Sequence, residues 1–296
     1  MTNIEAGKIG VSSETIVAVD GFSLCATLYF PLEGGIKKGI VLTGALAMPM
    51  RFYADCATWL AQQGYTVVTF DLCGMGASRP AQFVKILRGF EGDFVTRADH
   101  DFSAVVLWMC GRYPAVQLTV LGYSLGAQQV ELAFAAALAC IDNMVAVGSG
   151  AGYWRDWTAP TQRFAPLIFY FPGPLLRHIF GYFPCARFGM VGDIPTAGML
   201  RWIQWCRYPQ FSAGVEPGLI GVAYAMITTP VVAINISDDE AMTLRRTKKL
   251  LAAYKNSPHR LVRVEPSACG LKRIGHIGFS RIQFRAALWP MLLKVL

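Results

Sequence analysis

Gly122, Tyr123, Ser124, Leu125 and Gly126 spell G-x-S-x-G, directly after the apolar run LTVL and directly before the helical pattern LGAQQVELAFAAALA. A serine on a tight strand-to-helix turn projects its hydroxyl above the strand's carboxyl end, beside the helix N-terminus, where it can meet an acyl carbonyl. The flanking glycines keep side chains from colliding with strand and helix. A hydroxyl is a weak nucleophile and needs a base within hydrogen-bond reach, normally a histidine oriented by a carboxylate. The bland alternative is a glycine-rich turn whose serine merely caps a helix.

The chain has four histidines, so the search for a base is short. On such a turn the partners follow in the order serine, acid, histidine, which sets aside His100. His178 lies in an aromatic stretch and His259 stands beside Pro258 just before a strand pattern. His276 remains, in the loop RIGHIGFSR, with Gly275 and Gly278 around it. The run PVVAINISDDEAMT offers Asp238, Asp239 and Glu240 as the acid at a strand's end. Asp239 is the first choice and Asp238 the second; the remaining two acids would cap the helix starting near Ala241. An oxyanion needs two backbone N–H donors, one from Leu125 and one from the loop LTGALAMPMRFY, where Ala45 comes first and Leu46 close behind. Tyr123 and Leu46 are the candidate substrate contacts.

These residues must be held by a scaffold, and the chain alternates short β-rich runs with helical patterns. SLCATLYF, GIVLTG, YTVVTFD, LTVLGYS and MVAVGSG read as strands, with helices over about 52–63, 96–111 and 125–140 between them. Runs such as GIVL and TVVTF are apolar throughout, as in parallel strands covered on both faces. From about residue 152 to 215 the pattern gives way to a stretch rich in aromatics, proline and arginine. Within it FAPLIFYFPGPLLRHIFGYFP is apolar, but Pro166, Pro172, Pro174 and Pro184 interrupt it and Arg177 and His178 lie inside it, so a lid fits better than a membrane span. The strand–helix pattern then resumes with PVVAINIS, a helix over about 243–254, RLVRVEP and a last helix over about 280–295. The resulting division is 1–151 and 216–296 for one catalytic core and 152–215 for the insertion.

The 296 residues suit one large domain. A hydrophobic content of 54% and a mean hydropathy of +0.39 imply extensive apolar burial or contact with an apolar substrate or lipid. The net charge of +8 comes without a nucleic-acid-binding module, so no nucleic-acid partner is expected; weak contact with anionic membrane surfaces is. The densest basic run, Arg245, Arg246, Lys248 and Lys249, reads as the solvated face of an amphipathic helix. The eight cysteines are scattered with no C-x-x-C pair, so neither a metal nor another cofactor is implied, and several read as buried free thiols. The opening MTNIEAGKIGVSSETIVAV has no basic region followed by an apolar run, so a cytoplasmic chain is the expectation. No pattern specifies an oligomeric state.

Taken together the motifs resemble the α/β-hydrolase superfamily, and within it bacterial hydrolases similar to serine aminopeptidase-like and lysophospholipase-like enzymes. RFYADCATWLAQQGYTVVTFDLCGMGASRP resembles the segment from the oxyanion loop through the D-x-R-G-x-G-x-S turn, GYSLGAQ the nucleophile elbow, and SDDEAMT and IGHIGFS the acid and histidine loops. The resemblance implies the α/β-hydrolase fold with a mainly parallel sheet and a lid, and it implies Ser124, Asp239 and His276 as nucleophile, acid and base. Relatives commonly place an apolar residue three positions after the acid, which Met242 satisfies for Asp239. Thr43 stands where many relatives have histidine, and Cys73 where they often have arginine. The implied activity is cleavage of a carboxylic ester or related acyl bond through an acyl-enzyme, and the aromatics of the inserted stretch favour a small-molecule substrate with an apolar acyl or aryl group. Lipase, thioesterase and peptidase chemistry use the same machinery, as would an acyltransferase; a non-catalytic binding protein on the same scaffold is the contrasting class.

Overall fold

The computed structural model describes residues 8–159, 161–170, 172–188 and 192–296. Residues 1–7, where the opening was read for a leader, and 160, 171 and 189–191 of the aromatic stretch lie outside the described residues. One eight-stranded sheet runs through the molecule: β1 (Ile9–Val17), β2 (Ser23–Pro31), β3 (Gly39–Thr43), β4 (Thr66–Phe70), β5 (Leu118–Tyr123), β6 (Asn143–Val147), β7 (Val231–Ile236) and β8 (His259–Val264). Their spatial order is β1-β2-β4-β3-β5-β6-β7-β8. β2 pairs antiparallel with β1 and β4, and all other pairs are parallel.

Every residue of β3, β4 and β5 is buried. Side chains alternate between two cores: Val41, Val68, Val120 and Met144 enter one, Ile40, Val67, Leu121 and Val145 the other. That is why the strands are apolar throughout, since both faces are covered. Helix α1 (Ala54–Gln62) packs on the second face, and α2 (Phe94–Arg112) covers the first.

Three segments depart from the pattern read in the sequence. β1 is an edge strand, only partly buried, whose sequence IGVSSETIV is interrupted by the polar run at 12–15; its pairing with β2 holds it, through a turn in which Gly21 has φ +86°. The continuous helix expected over 125–140 is a 3-10 helix, Ser124–Leu132, then a break and one turn, α3 (Ala135–Leu138). At the break Ala133 and Phe134 are extended, and the Phe134 N–H leaves the helix to donate to Ser103 Oγ on α2 at 2.9 Å. The last helix is divided too, α10 (Arg285–Leu288) lying between 3-10 segments, with Pro290, which lacks an N–H, at the start of the final one.

Between β6 and β7 the chain passes through α4 (Thr161–Tyr170), α5 (Pro172–Phe180), α6 (Thr196–Cys206), α7 (Ser212–Val215) and α8 (Val222–Met226). The helical run thus continues beyond residue 215, through the wide turn Pro217–Gly221, to Met226. α9 (Leu244–Ala253) follows β7, its first turn closed by Thr243, whose Oγ1 accepts from Arg246 N. Among the described residues no helix is long and apolar enough to cross a membrane.

Candidate active site

Ser124 follows β5 directly and begins the Ser124–Leu132 helix with φ +52°. A β-carbon on Gly122 would come within 2.3 Å of Ala127 Cα, and one on Gly126 within 2.5 Å of the Thr43 carbonyl oxygen. Both glycines are therefore demanded by the approach of strand, turn and helix. Thr43, at the position of the relatives' histidine, donates from Oγ1 to the Gly126 carbonyl at 2.9 Å and ties β3 to the turn.

His276 is brought to the serine from the loop after β8. Its Nε2 lies 3.1 Å from Ser124 Oγ, and its Nδ1 lies 2.9 and 3.0 Å from the two carboxylate oxygens of Asp239. Asp239 is buried, and its Oδ1 also accepts the N–H groups of Ala241 (2.8 Å) and Met242 (2.7 Å).

Asp238 and Glu240 do not cap the following helix, contrary to expectation. Asp238 accepts the N–H groups of Ile274 (2.9 Å) and Gly275 (3.1 Å), and Glu240 accepts the N–H of His276 at 3.3 Å. Adjacent acids point to opposite sides of the chain, so one holds the imidazole while its neighbours hold the backbone that carries it. Tyr123 requires a second correction. It is buried beneath the histidine loop, its hydroxyl donates to the His276 carbonyl, and its ring rests against Tyr53 and His276, so it is a support and not a substrate contact.

Ala45 is the third correction. Its N–H donates inward to Tyr53 Oη at 2.9 Å and is not free to receive an oxyanion. For the N–H of Leu46 no acceptor is found among the described residues. Leu125 lies in the first turn of its helix, where backbone N–H groups have no intrahelical acceptor. Leu46 and Leu125 line a narrow cleft with Ala47, Met48, Met75, Asp71 and Gln129. Ala47 has φ +61°, so a non-glycine residue is strained on each side of this cleft. Asp71 braces its floor, accepting from Met50 N and Ala77 N at 2.9 Å each; burial raises its pKa.

Sequence reasoning missed two further supports. Gly148, at the end of β6, has φ +52°, and a β-carbon there would lie 3.3 Å from Asp239 Oδ2; the glycine after the strand in VGSG was the available signal. Arg246 was read as part of a solvated face but is buried. Its guanidinium donates to the carbonyls of Ala151 (2.7 Å) and Ala241, and it lies over the Trp157 ring. Desolvation lowers its pKa to about 10. The other basic residues of the run behave differently: Lys248 is exposed, while Arg245 and Lys249 pair with Asp156. Among the described residues no group of three or more His, Cys, Asp or Glu could hold a metal ion.

Residues 35–179 match the family model described as serine aminopeptidase, S33. No curated protein matches the sequence. Solved structures superpose over nearly the whole chain. Brefeldin A esterase, described as a bacterial homologue of human hormone sensitive lipase, has TM-score 0.58 and 20% identity over 100% of this chain and 77% of that one. An esterase from Pyrococcus furiosus has TM-score 0.58 and 15% identity over 97% and 89%. A hypothetical protein from Pseudomonas aeruginosa has TM-score 0.60 and 15% identity over 98% and 94%. At such identities the likeness is one of fold, and it agrees with the strand order and with the strained serine after β5. The chain has the α/β-hydrolase fold, and just under half of it resembles the serine aminopeptidase, S33, family.

Proposed function

We propose that the chain is a serine hydrolase that cleaves a carboxylic ester through an acyl-enzyme. The observation that carries this reading is the continuous contact from Asp239 through His276 to Ser124 on a positive-φ turn. In the proposed cycle His276 Nε2 takes the Ser124 proton as Oγ attacks the carbonyl. Asp239 holds the imidazole with Nδ1–H toward itself and stabilises the imidazolium. The oxyanion is received by the N–H groups of Leu125 and Leu46, the latter replacing Ala45. His276 returns the proton to the leaving alcohol, and water, activated by the same base, releases the acid.

The apolar walls of the cleft support an acyl or aryl substrate, and the two neighbours described as esterases agree with ester chemistry. The helices between β6 and β7 would act as the lid. Incubation with a fluorophosphonate followed by mass spectrometry of the labelled peptide tests the assignment directly. Label on the Ser124 peptide, absent from Ser124→Ala, is the expected result. Esterase activity above about a tenth of wild type in Ser124→Ala would refute it, since no other atom forms the covalent intermediate.

A further inference from the structure

Between Asp156 and Asp193 the sequence holds no acidic residue, while Arg163, Arg177 and Arg187 contribute three of the positive charges. The same stretch forms α4 and α5, which pack against each other. On α4 Ala165 and Phe169 turn inward and are buried, whereas Phe164, Leu167 and Tyr170 point outward. On α5 Leu175 and Ile179, one turn apart, are outward too. All five are more than half exposed, at 51–58%. A surface helix ordinarily presents polar residues on that side.

Cations rim the patch. Arg163 is exposed at its start, Arg207 lies 4.6 Å over the Tyr170 ring and Arg187 lies 5.2 Å over the Phe180 ring. An open groove of ≈ 420 Å³ between α4 and α6 extends the face, with Tyr170, Leu200 and Tyr208 in its walls and Arg207 among them. The nearby acids are engaged by other arginines: Asp93 and Glu216 by Arg201, Asp193 by Arg79.

From this pairing of an outward apolar stripe with cations that have no acidic partner among the described residues we infer that the α4–α5 face docks on an anionic lipid bilayer. The ten residues of α4 span about 15 Å, half the hydrocarbon thickness, so the helices lie in the interface with their side chains inserted and the guanidinium groups at headgroup level. The face presented is independent of the proposed chemistry, so Ser124→Ala should dock as the wild type does.

Co-sedimentation with vesicles of phosphatidylcholine alone, and of phosphatidylcholine with phosphatidylglycerol, reads this out. The wild type should pellet with the anionic vesicles only, and rising salt should release it. Leu167→Asp with Ile179→Asp should weaken binding at least tenfold. Arg163→Gln and Arg207→Gln, exposed changes that leave the helices intact, should each weaken it about fivefold. Equal binding to both vesicle types, binding to neither, or unaltered binding by the arginine variants would overturn the inference. So would a dimer in size-exclusion chromatography that the paired aspartates dissolve, since the face would then join two copies.

Discussion

At Gly148 the backbone turns through φ +52°, and the space a side chain would fill is the space beside the Asp239–His276 contact. Gly148→Ala should therefore affect both backbone and site: about 1 kcal/mol of strain from the left-handed conformation, and a ten- to hundredfold fall in kcat, roughly the cost of misplacing a catalytic group by a fraction of an ångström. Kinetics on one p-nitrophenyl ester, with thermal melts, separate the two effects. On the same ester Asp239→Asn should lower kcat by about 10⁴, because an amide favours the wrong imidazole tautomer. Asp238→Asn keeps one carbonyl oxygen for the histidine loop and should cost about tenfold or less; the reverse ranking would move the acid's role to Asp238. The residues of this chain of contacts were legible because chemistry restricts their types and the fold restricts their order. The direction of the Ala45 N–H was not, since it is decided by Tyr53, eight residues away, whose hydroxyl captures it.

Helix α9 illustrates what a sequence pattern conceals at the scale of an element. Four cations in five positions suggest a solvated face, yet the turn of the helix carries Arg246 inward, where it holds two carbonyls across the acid loop and the exit of β6. Arg246→Met should destabilise the protein by about 2–4 kcal/mol by leaving buried acceptors without donors. Lys248→Ala, on the exposed side, should stay within about 0.5 kcal/mol, and paired urea titrations would measure both. Glu131, on the helix that begins with Ser124, is a second case. It is buried against Ser212 Oγ at 3.0 Å and beside Tyr224, and desolvation pushes its pKa up to about 8. A raised folded pKa means the unfolded chain loses its proton first as pH rises. Stability is then full below the unfolded value near 4.5 and declines by up to about 1.4 kcal/mol per pH unit until the folded group titrates. Thermal melts across that window should show the decline in the wild type and a flatter profile in Glu131→Gln; identical profiles would contradict it. The strands were legible because double burial makes them apolar. β1 and the breaks at Ala133 and Pro290 were not, because pairing partners and local donors decide them.

Seen whole, the molecule positions its cleft at the carboxyl ends of β3, β4 and β5, where their following loops meet. If an acyl group lies along Leu46, Leu125 and Met75, each methylene buried adds about 0.8 kcal/mol, close to fourfold in kcat/KM. Activity on p-nitrophenyl esters should rise from acetyl to butyryl, and a steady fall from acetyl onward would mean that the cleft accepts no chain. The sheet's topology has a further consequence in time. Ser124 and His276 are 152 residues apart, with the inserted helices between them. A ribosome adding about 5–20 residues per second needs roughly 8–30 s to pass from one to the other. Throughout that interval a nascent chain lacks His276, which on the proposed mechanism takes the Ser124 proton, and β7 and β8, on either side of the acid, are made only late in it. On the proposed mechanism an emerging chain is chemically silent, and reactivity toward an ester begins only when β8 has docked and His276 has followed it.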